Sequence, residues 1–524
     1  MQKKKLENLI DQLTTKGALA WTRNVYAKKG ANIFLVGGAV RDALLNKKEI
    51  KDYDFVVSGI EIQELENILS ASGKVDLVGK KFGVFKFVPQ ENNNNEAIDI
   101  ALPRKEISLV TGGYRDFKID YDEQLSIKED LGRRDFTINA MAWDLKNKKL
   151  IDEFGGVKDL ENKIIKTVGN AYERFEEDYS RMLRGLRFAC QLDFKIEEIT
   201  WQAIIKYIQH LNNLQKGKDE RVVPYEVVAN ELLKTFVINP VRAFDLYDKS
   251  GAMEMLMPEL LQMKNCPQPV NWHSEGDVWQ HTRLCLLNLM SDAFKNRFKN
   301  KIIFDDKVKS RKSKVPSSPR LRWTSEGQMS ELVMAILWHD VGKPYKIQTP
   351  EKDGTDRIRF NNHDVESAKL AQSKFEELKL SSVPEFDFDP EKAAWLVAKH
   401  HLFDPKTVKE MKNSTLEKYF FSNRHNGEDL LKLGFIDALS SVWQENEKQR
   451  FDGFNLLVQR INELKKLGKG KKLPQAFLNG NEVMKILKMK SGAEVGKILD
   501  ILREQQLSGK IRNKEEAMQF VKKI

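Results

Sequence analysis

The stretch Phe34–Val57, FLVGGAVRDALLNKKEIKDYDFVV, decides how the N-terminal part of the chain is read. It predicts a strand, a glycine turn, a short helix and a second strand bearing Asp52 and Asp54. Side chains two apart on a strand share a face. The two carboxylates therefore project together, with Phe55 and Val57 opposite. Like charges held that close need a cation between them. Mg2+ carrying a triphosphate fits, because it takes oxygen ligands and needs only one or two protein carboxylates. Gly37 and Gly38 let the backbone approach a phosphate, with the amides of the next helix's first turn pointing at it. Glycines at a strand end are common, but with Arg41–Asp42 and the paired aspartates they form a much sharper combination.

At 524 residues, 41% of them hydrophobic, the chain exceeds one core and has room for three or four domains. Its net charge of +11 suits a polyanionic partner without choosing among nucleic acid, acidic protein and membrane surface. Cys190, Cys266 and Cys285 show no metal or redox spacing and sit among apolar residues, which predicts buried free thiols in a reducing compartment. No apolar run approaches the ~20 residues of a membrane span, and no apolar stretch follows Lys3–Lys5 as a secretory signal requires. A cytoplasmic protein without a membrane partner is expected.

Outward from the opening stretch, Leu6, Leu9, Ile10 and Leu13 predict an amphipathic helix within residues 1–30. A helix ending near Gly73 is followed by strands at Val75–Val78 and Phe82–Val88, with Lys80 and Lys81 between them. The polar segment 91–97 reads as a hairpin-like linker, and AIDIAL as a strand that sets Asp99 opposite Ile98 and Ile100. Asp99 is either a third carboxylate near the metal or the solvent face of an edge strand. Residues 103–130 lack a clear period, contain Gly112–Gly113, and predict a long functional loop. In GRRDFTINAMAWD, Asn139 lies four residues after Asp135 on one helical face. Arg133 and Arg134 either hold phosphate oxygens through their planar forks or form a surface ion pair.

EEDYSRMLRGLRFACQL, 176–192, reads as one helix with Leu183, Leu186 and Cys190 on its apolar face. Asp178 and Arg181 lie one turn apart on another face, with Arg184 and Arg187 nearby. The plain reading is a solvated ion pair worth about 0.2–0.5 kcal/mol. The chemical reading is more specific. Adenine and cytosine each present an amino donor beside a ring-nitrogen acceptor, which a carboxylate and an arginine satisfy together. Guanine and uracil reverse the pattern, and the unpaired groups are heavily penalised.

GGAVRD with Asp52-x-Asp54, the run Arg133-Arg134-Asp135-Phe136-Thr137-Ile138-Asn139-Ala140, and Glu177-Asp178-x-x-Arg181 resemble in order and interval the motifs of the class II tRNA nucleotidyltransferases, the CCA-adding enzymes. The resemblance implies that Asp52 and Asp54, with Asp99 as the candidate third carboxylate, hold catalytic Mg2+. Arg134, Asp135 and Asn139 would contact the incoming CTP or ATP, and Asp178 and Arg181 would read its base. Gly37, Gly38, Arg41, Arg133, Arg184 and Arg187 complete the candidate nucleotide-binding set, and tRNA is the implied partner. Residues 103–130 would be the family's flexible loop, which helps switch from C to A addition. One departure concerns the next helix, where the family often has an arginine four residues before a Glu-Leu pair. In ERVVPYEVVANELLKTF that position is Val227, and Arg221 lies further away. The departure touches the neck's contact with tRNA and not the chemistry.

All but one of the eight histidines lie beyond Pro258. His281, the doublet His339-Asp340, His363, His400-His401 and Asp437 each fall on or beside a predicted helix, from which imidazoles and carboxylates can converge on a transition metal. The series resembles the HD superfamily of metal-dependent phosphohydrolases. That resemblance implies His281, His339, Asp340 and Asp437 as ligands, His363 and His400 as further metal or phosphate contacts, and Lys343 as a phosphate-facing lysine. His273, His401 and His425 read as structural or exposed. Ni2+, Mn2+, Co2+ and Fe2+ all suit such a donor set.

The expected architecture is α+β. A small nucleotidyltransferase-type mixed-sheet head (1–165) precedes an all-α neck and body (166–265), a helical HD domain (266–450) and a helical tail (451–524). Residues 295–323, basic with Ser and Pro at their centre, read as a surface insertion in the HD domain, either adding RNA affinity or serving as a plain solvated loop. The expected function is CCA addition together with metal-dependent phosphohydrolysis. The alternatives are a poly(A) polymerase or A-adding enzyme with the same head, and an HD phosphohydrolase whose head only binds RNA. Oligomeric state is not legible in the sequence.

Overall fold

A computed structural model describes residues 2–15, 17–47, 50, 53–77, 83–90, 97–108, 111–113, 117–122, 124–215, 217–299, 327–422, 427–444, 447–468 and 473–524. Asp52, Lys80, Lys81, nearly all of the 91–97 linker, most of 295–323 and His425 lie outside the described residues. The chain divides into two compact units, Met1–Thr235 with Asp245–Met255, and Phe236–Phe244 with Leu256–Ile524. None of the described helices is long and apolar enough to cross a membrane.

The first unit is built on β1 (Asn32–Val36), β2 (Asp54–Ser58), β3 (Gly73–Leu77), β4 (Val84–Pro89), β5 (Ile98–Ala101), β6 (Arg104–Ser108), β7 (Phe117–Tyr121), β8 (Ala142–Asp144) and β9 (Lys149–Ile151). Seven of these strands form one mixed sheet in the order β3-β4-β5-β2-β1-β8-β9, in which only β2 and β5 run parallel. NIFLV and DFVVS are rich in apolar and β-branched residues because most of both faces is covered. Ile33, Leu35, Phe55 and Val57 enter a large core with Phe85, Phe87, Ile98 and Ile100, joined by Leu6, Leu9 and Leu13 of the Gln2–Thr15 helix. Trp21 closes that core edge-on to Phe55 and Phe87, its indole N–H donating to the Ala18 carbonyl at 2.9 Å. Phe34, Val36 and Val56 face the other way into a smaller cluster with Leu131, Ala142 and Val168. Asp54 is on this second face, as period two requires.

Four local expectations change. The N-terminal helix stops at Thr15, and a short separate helix covers Thr22–Tyr26. β5 lies between β4 and β2, so Asp99 is not on an edge strand. The supposed loop 103–130 contains the antiparallel ribbon β6–β7, followed by the Ile127–Gly132 helix. Charges dominate RKEIS and interrupt FKIDY, which left no alternation to read. The predicted helix over 176–192 is two helices, Ala171–Glu177 and Ser180–Leu192, because Asp178 is extended (φ −157°, ψ 103°). Its apolar spacing runs across the break and concealed it.

The second unit is helical. Val278–Leu289, Gly327–Trp338, His363–Glu377, Pro390–Lys399 and Gly427–Ser440 carry or adjoin the histidine series. The last three helices, Gly480–Leu487, Ala493–Leu507 and Lys514–Lys523, share a core of their own that includes Val483, Ile498, Leu502 and Val521. The first of them starts in a capping box between Asn479 and Glu482.

Candidate active sites in the two units

In the first unit, register places Lys86, Asp99, Asp54 and Val36 in one row across four strands, so Asp99 shares the face of Asp54. Asp99 is half exposed and paired with Lys86 at 3.2 Å. Gly37 turns at φ +70°, and a Cβ there would lie 2.8 Å from Arg134 Nη1 and 3.7 Å from Asp54 Oδ2. Glycine is therefore what leaves room for this arginine and this carboxylate beside the strand end. The Gly37 amide donates to the Met141 carbonyl at 3.2 Å, tying the turn to the segment after Asn139.

The arginine pair is held from behind by Asp130, which sequence reasoning overlooked. Its fully buried carboxylate accepts Arg133 Nε and Nη2 on one oxygen (3.0 and 2.8 Å) and Arg134 Nη2 on the other at 3.3 Å. Burial works against ionisation, but the two guanidiniums hold the Asp130 carboxyl below its ordinary value. The signal was present: Asp130 lies three and four residues before the arginines at a helix end. Arg134 Nε, buried, has no hydrogen-bond partner among the described residues.

Asp135 and Asn139 do meet, but not on an α-helix. Residue 136 is extended and Thr137–Asn139 is a 3₁₀ turn, yet Asn139 Nδ2 donates to Asp135 Oδ1 at 3.3 Å. Arg41 is buried and donates to Asn139 Oδ1 at 2.7 Å and to Asp42 at 2.8 Å. Arg184 donates to Asp135 Oδ2 through Nε at 2.8 Å, and its Nη2 lies 2.7 Å from the same oxygen as an ion pair. Burial opposes ionisation of Asp135, but Arg184, the Phe136 amide and Asn139 hold its carboxyl down to about 2. Arg187 bonds Glu231 and Gln191 and lies over the Phe188 ring at 4.1 Å. Glu231 thus takes its partners from the Ser180–Leu192 helix. Arg221 instead caps the Leu211 carbonyl at 2.6 Å and stacks on Tyr225 at 4.1 Å.

Asp178 and Arg181 remain neighbours despite the helix break, with Nε and Oδ2 3.8 Å apart. Both are at least nine-tenths buried. Burial pushes the Asp178 carboxyl up, although the Ser180 amide donates to its Oδ1 at 2.8 Å. Arg181 is anchored by Glu177 at 2.6 Å. Tyr179 between them stacks on His210 at 5.0 Å and donates its amide to Gly112 at 3.0 Å.

In the second unit the imidazoles are oriented by one repeated device. Nδ1 of His339, His363 and His400 lies 2.7–2.8 Å from the carbonyls of Ile336, Phe360 and Val397, and Nδ1 of His281 lies 2.8 Å from Glu275. Such bonds fix the tautomer and turn Nε2 toward a shared centre, as metal-bound histidines do. That centre is Asp340. Its Oδ2 lies 3.3 Å from His339 Nε2 and 3.9 Å from His281 Nε2, and its Oδ1 lies 3.3 and 3.5 Å from His363 and His400 Nε2. Asp437 Oδ1 lies 3.1 Å from His281 Nε2. His339 Nε2 and both oxygens of Asp340 are buried without a hydrogen bond among the described residues. Lys343 Nζ approaches Asp340 Oδ2 at 2.7 Å as an ion pair and donates to Gln268 at 2.8 Å. Buried nitrogens and oxygens aimed at one point without hydrogen bonds are costly unless a cation takes them up. The donor set fits a divalent metal.

Two residues here went unnoticed in the sequence. Glu275 joins His281 and His273, at 2.8 and 2.7 Å; burial works against it, but those bonds hold it down at about 2. Cys285, expected to be an inert buried thiol, has its sulfur 3.5 Å from His281 Nε2 and belongs to the potential metal-holding group with His281, His339 and Asp437. The four-residue interval from His281 carried that information, since it stacks both side chains on one helix face.

Residues 33–166 match the Poly A polymerase head domain family, and 316–434 match the HD domain family, a span that leaves out His281 and Asp437. A Multifunctional CCA protein of Haemophilus influenzae is 36% identical over 273 residues, 51% of this chain and 60% of that protein. A CCA-adding enzyme of Enterococcus faecalis is 43% identical over 181 residues, 34% of this chain and 41% of that protein. The chain thus aligns with three-fifths or less of the length of these curated relatives. The solved structure of Bacillus stearothermophilus CCA-adding enzyme in complex with CTP matches 97% of this chain and 96% of its own at 21% identity and TM-score 0.54. Thermotoga maritima CCA-adding enzyme complexed with tRNA_CCA matches 94% and 90% at 21% identity and TM-score 0.51. Fold and site together define a nucleotidyltransferase-type head carried on one chain with an HD domain. Among proteins with that combination, the chain resembles the CCA-adding enzymes in motif order and in fold.

Proposed function

We propose that this chain is a tRNA nucleotidyltransferase that adds CCA to tRNA 3′ ends from CTP and ATP, and that its HD domain is a metal-dependent phosphohydrolase. The observation that carries the first part is the approach of both Asp54 and Arg134 to Gly37 in the same unit as the buried Asp178/Arg181 pair. Support comes from relatives named as CCA-adding proteins and from fold neighbours solved with CTP, ATP and tRNA.

Asp54, with Asp52, would hold Mg2+, which supplies neutralisation of the triphosphate and activation of the attacking 3′-hydroxyl. The chain's own part is positioning and charge. Arg134, steadied by Asp130, offers its free Nε to a phosphate oxygen. Asp135, Asn139 and Arg41 form a bonded frame beneath the nucleotide. Asp178, with its Oδ2 3.8 Å from Arg181 Nε, would accept the amino group of cytosine or adenine; uracil and guanine would set a carbonyl oxygen against it. Acting on tRNA, the protein works in the cytoplasm.

In the HD domain, His281, His339, Asp340 and Asp437 would hold the transition metal, with His363 and His400 facing Asp340's other oxygen. The metal supplies phosphate polarisation and a hydroxide near neutral pH. Phosphomonoesters or cyclic phosphates are the substrates this suits. Incubating the protein with tRNA lacking its last three nucleotides, with CTP and ATP separately and together, tests the first activity. Addition that stops at C, C, A supports it. Unlimited A tails favour the poly(A) polymerase reading that the head family's name suggests, and no addition favours an RNA-binding head.

A further inference from the structure

We propose that Cys285 is a ligand of the HD-domain metal, making this a site for a thiophilic divalent ion such as Zn2+ or Co2+. The inference rests on reading the cluster as a metal site and names a donor that the histidine–aspartate series does not include.

Cys285 lies one helical turn after His281 on Val278–Leu289, fully buried, with its sulfur on the side of the cluster. One donor atom each from His281, Cys285, His339 and Asp437 lies within 4.8 Å of all the others. Tetrahedral coordination with metal–sulfur near 2.3 Å and metal–nitrogen or –oxygen near 2.0–2.1 Å sets donor separations of about 3.5 Å for S···N and about 3.3 Å for N···O. Cys285 Sγ to His281 Nε2 is 3.5 Å, and His281 Nε2 to Asp437 Oδ1 is 3.1 Å. Two of the six separations thus match donors sharing one ion, and the other four lie within 4.8 Å. A second observation points into the same place: His339 Nε2, 1% exposed as a residue, has no hydrogen-bond partner among the described residues. Its ring is fixed by the Ile336 carbonyl at 2.8 Å, so Nε2 cannot turn elsewhere. On binding, the metal takes the place of the thiol proton, which leaves to water, and the sulfur keeps its electron pair for the new bond. A thiolate among the donors shifts preference from Mn2+ toward Co2+ and Zn2+.

The test is titration of the metal-free full chain with Co2+, followed by absorption. A thiolate-to-cobalt charge-transfer band in the near ultraviolet, growing to one ion per chain, is expected. It should be lost in Cys285→Ser, which still takes up Co2+ through the remaining donors, and kept in Cys266→Ser. X-ray absorption on the zinc-loaded wild-type chain needs no variant and should show one sulfur at about 2.3 Å. Full Co2+ occupancy without the band, an all nitrogen–oxygen shell around zinc, or a band that persists in Cys285→Ser overturns the proposal while leaving the metal site standing. Failure to bind any Co2+ overturns both.

Discussion

The two sites solve opposite electrostatic problems. In the head, almost every charged side chain is already answered by another: Asp130 by Arg133 and Arg134, Asp135 by Arg184, Glu231 by Arg187. What is left open is narrow, chiefly Arg134 Nε above the Gly37 turn. In the HD cluster the bonds run outward, from each Nδ1 to a carbonyl or Glu275, and among the inward atoms His339 Nε2 and both Asp340 oxygens have no hydrogen bond among the described residues. A closed network suits a ligand that arrives with its own metal and charge. An inward-facing set of lone pairs suits a resident metal. The head site accordingly leaves few polar atoms unsatisfied among the described residues, whereas the HD cluster concentrates them.

Single substitutions should therefore separate the two. Asp54→Asn is expected to lower nucleotide addition by about 10³-fold or more, the scale of removing a group that stabilises transition-state charge, with metal-dependent phosphatase activity kept. His339→Ala should do the reverse. Measured on trimmed tRNA and on a phosphomonoester, loss of both activities in either variant would break the comparison. Asp130→Ala strands two guanidiniums against a buried gap and should destabilise the first unit by about 3–5 kcal/mol, read by denaturant melts; an unchanged midpoint would show that the arginines find other partners. Asp178→Asn keeps the shape but adds a donor where an acceptor is needed. Discrimination of CTP over UTP should fall about 10- to 100-fold, measured as incorporation ratios.

The smallest effect concerns pH. Asp135 ionises more easily folded than unfolded, so its pairing stabilises the native state above the ordinary carboxylate range. That contribution is lost as pH falls from about 4 through about 2. Arg184→Gln should cost about 1 kcal/mol at pH 6, because Arg184 is more than a third exposed and shares the task with Asn139 and the Phe136 amide, and much less near pH 1.5. A deficit that persists in strong acid would mean that Arg184 acts through packing.

Much of this was legible because the chemistry sits at short fixed intervals. Asp54 on alternation, Arg133–Asn139 and the His339-Asp340 doublet all read from neighbours in sequence. The packing partners did not. Glu231 answers Arg187 from 44 residues away, and no local period reports such a pairing. The break at Asp178 escaped because Leu183, Leu186 and Cys190 continue a helical rhythm begun before it. Ribbon β6–β7 escaped because it pairs with itself outside the main sheet and carries charge where a half-buried strand would show alternation. Cys285 is the buried free thiol expected, but its place beside His281 escaped because a thiol amid leucines gives no sign of which side chain the helix sets it against.

Gly112 and Tyr179 are far apart in sequence, yet a Cβ at 112 would fall 1.9 Å from the tyrosine ring, and the glycine's φ of +76° disfavours any other residue. Neither position can mutate freely alone. A side chain at 112 is admissible only if 179 shrinks, and the ring at 179 survives only over glycine. In a lineage the two should drift as a linked pair, so their covariation across related sequences would trace where Gly112 stays docked against Tyr179, between Asp178 and Arg181.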